Sequence, residues 1–220
     1  VILYANTGRI NIGGTVQAVQ DTAGGIFSAS ADDINIGDNC LIDVSGNSGG
    51  GNVSLRAENH YAEDWQTRTL YFSKTAAINA DALTVGNGGT VNLWAEDDNV
   101  FFGRIFARGG KTSGNGGAVE VSGLGRFGFA GYVNTKAFNG TNGQLTIDPY
   151  DIEIVAGTGT NCDFTGADPD VLIISAAPCR LGTDALKSAL DNNNVVIRTV
   201  NAAGDESGDI TLAAAITQEI

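Results

Sequence analysis

The stretches INADALTVGNGGTVNL (78–93) and IFARGGKTSGNGGAVEV (105–121) decide the fold. Each opens on a short apolar run, passes through a Gly-rich link and closes on a run that alternates apolar with polar residues. The same plan recurs in IDVSGNSGGGNVSL (42–55) and in VNTKAFNGTNGQLTI (133–147). The four segments start at 42, 78, 105 and 133, so their spacings are 36, 27 and 28 residues. Self-similarity at such a period marks stacked repeats. One insertion, at about residues 57–74, accounts for the long first spacing.

Alternation at period two marks strands with one buried face. The inward pairs are Ile42/Val44, Val53/Leu55, Val91/Leu93, Val119/Val121 and Leu145/Ile147. No helical segments separate these strands, which argues against a doubly wound α/β sheet. Coils that bury their apolar side chains on the coils above and below solve the packing problem. The expectation is an all-β, right-handed parallel β-helix (a solenoid) with one aromatic loop insertion and one short helix. Ile10, Ile12, Val16, Ile26, Ile34 and Ile36 are the inward candidates of the first forty residues.

Beyond about residue 148 the period fails. DPYDIEIV (148–155) reads as a strand after a Pro-marked corner, and VLII (171–174) as an apolar run. TDALKSAL (183–190) reads as a short amphipathic helix with Thr183 as its N-cap, ended by Asn192–Asn194. Strand character returns at 195–200 and 209–213. The chain therefore divides into β-helix coils over 1–155 and an irregular segment, short helix and further coils over 156–220.

Composition narrows the function. The 31 Gly residues fall in clusters without a strict third-residue period, which excludes collagen. A net charge of −13 offers no basic face to a nucleic-acid backbone and none to anionic lipid. No apolar run reaches bilayer length, so membrane insertion is not expected. The opening VILYANTGRI lacks the basic and long apolar regions of a signal peptide. It starts in mid-pattern, and the chain has no Met, as expected for a piece of a longer polypeptide. Of the three cysteines, Cys162 and Cys179 bracket one irregular Asp-rich segment. A bridge between them and two buried thiols both fit the sequence, with Cys40 left unpaired.

Several catalytic patterns match only in letters. GNSGG (46–50) satisfies G-x-S-x-G, but a strand follows it where the elbow needs a helix, and His60 is the one histidine. GLGRFG (123–128) satisfies G-x-G-x-x-G without the helix that would point amides at a pyrophosphate. GNGG at 86–89 and 114–117 runs on into Thr90 and Ala118, where a calcium-binding nonapeptide needs Asp. Acidic clusters at Glu96-Asp97-Asp98, at Asp148, Asp151 and Glu153, and at Asp163, Asp168 and Asp170 leave Ca²⁺ as a weakly supported ligand. Solvated turn carboxylates are the simpler reading, and no cofactor is expected. Arg104 and Arg108 near Glu96–Asp98 keep open an alternative, a β-helical polysaccharide lyase or hydrolase. The aromatic residues Tyr61, Trp65, Tyr71 and Phe72 of the insertion are the candidates for a partner-binding loop, or equally for a lid over an end or groove of the helix.

The blocks GGTVNLWA (88–95), FGRIFARGG (102–110), GNGGAVEVSG (114–123) and GQLTIDP (143–149) with IEI (152–154) carry a family resemblance. LKSALDNNNVVIRT (186–199) and GDITL (208–212) extend it. In this order they resemble the filamentous-haemagglutinin-like exoproteins of Gram-negative bacteria, the adhesin family exported by two-partner secretion. The resemblance implies a large secreted or surface-held β-helical protein used for adhesion, biofilm or cell contact, with no shared catalytic residues. It further implies an outer-membrane transporter for export and a host or neighbouring-cell receptor or glycan as partner. Flanking β-helix coils or other chains are the remaining expected partners. No NPNG-type export turn is visible, which points to an internal or downstream part of such a protein.

Overall fold

Strand pairing recurs at every third strand, and that regularity defines the architecture. The computed structural model describes residues 1–5, 8–57, 68–158, 180–199 and 208–217. The first coil supplies β1 (Ile2–Tyr4), β2 (Arg9–Ile12) and β3 (Thr15–Gln17); the second supplies β4 (Ile26–Ala31), β5 (Asp33–Ile36) and β6 (Leu41–Asp43). The third has β7 (Asn52–Ala57), β8 (Thr69–Phe72) and β9 (Ala77–Asn79), and the fourth β10 (Thr90–Ala95), β11 (Asp98–Phe101) and β12 (Arg104–Phe106). The fifth has β13 (Ala118–Gly123), β14 (Arg126–Phe129) and β15 (Tyr132–Asn134). Then follow β16 (Gln144–Pro149), β17 (Ile152–Val155), β18 (Leu181–Gly182), α1 (Thr183–Leu190), β19 (Asn194–Ile197) and β20 (Ile210–Leu212).

Sheet A runs β1-β4-β7-β10-β13-β16-β19, sheet B runs β2-β5-β8-β11-β14, and sheet C runs β3-β6-β9-β12-β15. Neighbours within these sheets are parallel. A chain that returns to the same sheet every third strand, always in the same direction, is a three-sided parallel β-helix. Seven strands at the usual spacing give sheet A a height of about 29 Å. A fourth parallel sheet, β18-β17-β20, follows the coils.

The register turns the alternation into columns. Phe27, Val53, Val91, Val119, Leu145 and Val195 align along sheet A, and beside them Ala29, Leu55, Leu93, Val121, Ile147 and Ile197. Val16, Ile42, Ile78, Ile105 and Val133 align along sheet C. In sheet B, Ile12, Ile36, Phe72, Phe101 and Phe129 align. The Phe101 ring stands 5.4 Å from Phe72 and 5.5 Å from Phe129, both tilted. Such offset aromatic pairs add to the gain from burial alone.

Three details depart from the sequence expectation. Ile26 is exposed and Phe27 takes the inward place, because the alternation of β4 begins one residue later. The insertion is narrower than 57–74, since Thr69–Phe72 is a ladder strand paired with both β5 and β11. Thr183 is the first residue of α1, after Gly182 at the N-cap, and its hydroxyl accepts the Gly157 N–H at 3.0 Å. The segment 171–174 lies outside the described residues.

Helix α1 closes the core above β15. Leu186 and Ala189 face the core, and Asn193 follows the helix, buried. The Asn193 amide donates to Val133 O at 2.9 Å and to Ala189 O at 2.7 Å. Its oxygen accepts the Thr135 N–H at 2.9 Å and the Thr135 hydroxyl at 2.8 Å. Val133 O and Thr135 N–H lie on the edge of β15 away from β12, where a sixth strand of sheet C would pair. One side-chain amide thus takes the place of a strand, with both donors and the acceptor in use.

Candidate functional site

The Gly-rich links are explained by close backbone approach. Gly50, Gly88 and Gly116 pass the ends of the sheet C strands, and a Cβ there would stand 1.9, 2.1 and 1.7 Å from Ala80 O, Ala107 O and Thr135 O. No side chain fits at those distances. The glycine after each, and Gly143 one coil on, closes the turn: Gly51, Gly89, Gly117 and Gly143 donate their N–H at 2.8 Å to Val44, Ala80, Ala107 and Thr135 O. GNSGG and both GNGG sequences are therefore corners of the stack, and the nucleophile-elbow and nonapeptide patterns have no structural counterpart there.

A second corner device escaped the sequence reading. Asp43, Asn79 and Asn134 accept the N–H two residues on, from Ser45, Asp81 and Lys136 at 3.0, 3.2 and 3.0 Å. Such Asx turns fix the chain direction after β6, β9 and β15. The fourth coil has Phe106 at this place, and there Asp81 of the coil below accepts the Arg108 N–H at 2.7 Å instead. The signal was present in the sequence as Asp or Asn immediately after the inward Ile or Val.

The candidate residues separate. Tyr61 and Trp65 lie outside the described residues, as do Cys162 and Cys179 with the bridge between them. Phe72 is wholly buried in the sheet B column. Tyr71 faces outward on the same strand, with its ring edge-on to Phe102 at 6.3 Å. Partial burial, and then the negative charge of Asp38, push the Tyr71 phenol up. Cys40 is a buried free thiol, raised by burial.

Several of the described acidic residues are committed to neighbouring coils. Asp98 holds Arg126 with two bonds of 2.7 and 2.8 Å, and Asp81 holds Arg108 Nε at 3.0 Å. Asp97 accepts the Arg68 N–H at 2.7 Å, and Asp151 the Asp209 N–H at 2.8 Å. Asp148 and Glu120 both hold Arg198, and Glu153 holds Arg180. Burial nevertheless pushes the Asp98 carboxyl above the usual range, outweighing the Arg126 guanidinium that pulls it down. Asp33 is raised for the same first reason, against the Thr69 N–H and Arg9. Among the described residues, no three of His, Cys, Asp or Glu group as a metal ligand set. Asp163, Asp168 and Asp170 lie outside those residues.

The outer face of sheet C differs from these charge-paired faces. Arg104 stands between Ala77 and Tyr132 in the register, and Phe106 stands between Asn79 and Asn134. The Phe106 and Tyr132 rings are 5.9 Å apart at 56°, and Asn134 donates to the Tyr132 hydroxyl at 3.1 Å. The Arg108 guanidinium covers the Phe106 ring at 5.2 Å. Arg104 is exposed, and both aromatic residues are half-buried. A cation, two aromatic rings and two amides thus share one outward face. No helix among the described residues is long and apolar enough to cross a membrane. No family model matches the chain, and no curated protein matches it.

Proposed function

We propose that this chain is a segment of a large bacterial exoprotein, secreted or held at the outer cell surface, whose β-helix serves as a scaffold for adhesion, biofilm or cell contact without catalysis. The observation that carries this reading is the stack itself. Its three sheets repeat in register, and its outer carboxylates bridge one coil to the next. A rigid prism of this kind holds side chains at fixed spacings over a long face, which suits contact with extended partners. The block order that resembles filamentous-haemagglutinin-like exoproteins points the same way.

The test uses the purified protein coated on beads, with epithelial and bacterial cells as targets. Saturable attachment that soluble protein competes away is the expected result. Release of unsaturated or reducing-end sugar from a panel of acidic and neutral glycans would replace the scaffold with an enzyme. A neighbouring gene for an outer-membrane transporter would support export by two-partner secretion.

A further inference from the structure

The charge of the chain is unevenly spread. Between Asn99 and Ile147 the sequence carries Arg104, Arg108, Lys111, Arg126 and Lys136 against one carboxylate, Glu120, although the whole chain is at −13. Arg108 and Arg126 are held by Asp81 and Asp98. Arg104, Lys111 and Lys136 are exposed and make no ion pair among the described residues. The register sets Arg104 beside Tyr132, and Lys136 follows β15 by two residues, so these two charges border the aromatic pair of sheet C.

We propose that the outer face of sheet C at β12 and β15 binds an acidic polysaccharide, one whose sugars carry uronic-acid carboxylates. The proposal names a ligand for the scaffold reading above and rests on it only for its biological setting. Each part of the face matches one part of such a sugar. Arg104 offers a planar fork to a carboxylate, with Lys136 as a second charge just beyond β15. Tyr132 offers apolar ring surface to the C–H face of a pyranose, beside Phe106 whose ring the Arg108 guanidinium covers, and the small Ala77 leaves room beside Arg104. The Nδ2 group of Asn79 supplies donors for a hydroxyl, its oxygen being held by the Asp81 N–H. The acidic surroundings repel a polyanion elsewhere and confine it to this face. A nucleic-acid duplex fits less well, because its dense charge needs many more cations than three and would run onto the acidic coils.

The experiment titrates the whole protein with polygalacturonate and alginate oligosaccharides, with their methyl-esterified or neutral counterparts, and with a DNA duplex of similar length. Binding of the uronates, weak or absent binding of the neutral forms, and a steep loss between 20 and 300 mM salt (about tenfold or more) are expected. Arg104→Ala is expected to weaken uronate binding about tenfold, and Lys136→Ala by a smaller factor. Both side chains are exposed, and circular dichroism checks that each variant keeps the fold. The proposal is overturned if neither uronate binds, if Arg104→Ala changes nothing, or if DNA binds as tightly as uronate. Bead attachment separates this from the scaffold reading. Attachment by wild-type protein that binds neither uronate removes this face alone, and uronate binding without attachment removes the scaffold's adhesive role alone.

Discussion

The Asn193 amide satisfies four groups at once, and three of them are backbone atoms with little water in reach. Asn193→Ala leaves the carbonyls of Val133 and Ala189 without that donor. Val133 O and the Thr135 hydroxyl lose their partner, while Ala189 O keeps the Asn192 N–H and the Thr135 N–H keeps Asn192 O. The expected cost in urea unfolding is about 3 kcal/mol, at about 1–3 kcal/mol for each buried group left unpaired. The Asp98–Arg126 pair gives a pH-dependent prediction. The Asp98 carboxyl lies above its ordinary range in the folded state, so its ionisation works against folding. That penalty is present at neutral pH and is relieved as pH falls through the raised value. Arg126→Ala exposes it fully, because the buried carboxylate then has no counter-charge. We expect Arg126→Ala to lose about 2 kcal/mol at pH 7, below the figure for a fully buried pair because Arg126 is 39% exposed. Unfolding curves at pH 7 and pH 4.5 check the sign: the difference from wild type shrinks at the lower pH.

At the scale of strands and turns, the glycine corners set the strictest demand. Gly116→Ala drives a methyl group to 1.7 Å from Thr135 O, whereas Gly13→Ala meets nothing within 4 Å. The first substitution is expected to cost 3 kcal/mol or more and the second less than about 0.5 kcal/mol, read from denaturation midpoints. The strands were legible because period-two alternation survives in every coil, and the inward pairs Val53/Leu55 to Leu145/Ile147 are all buried. Corners were less so. Ile26 looks inward by hydropathy, yet parity with Ala29 and Ala31 puts Phe27 inside. Tyr71 and Phe72 looked like part of an aromatic loop through their closeness to Trp65, although Leu70 and Phe72 already carry the strand alternation. Asn99 is the opposite case: a polar residue in a core column, donating to Leu93 O at 2.9 Å and Ser122 O at 2.8 Å. No local pattern separates such an amide from a surface one. The sheet C face was hidden by averaging, because a strongly negative total masks a positive interval.

For the molecule as a whole, stability is close to a sum over coils and the interfaces between them. Phe101 sits at the middle of the three-ring stack, so Phe101→Ala removes contacts to the coils on both sides. A loss of about 4 kcal/mol is expected. Amide hydrogen exchange should show protection falling most in the third, fourth and fifth coils and least in β1–β3; a uniform fall would contradict the coil-by-coil picture. The break between Ala57 and Arg68 has a consequence of another kind. Residues 58–67 enter there, yet Ala57 still lines up with Ala31 and Ala95, and Thr69 with Asp33 and Asp98. The ladder on either side takes no account of what the chain carries between them. That junction is expected to tolerate another peptide in place of residues 58–67, while the neighbouring seam of glycines is expected to accept none.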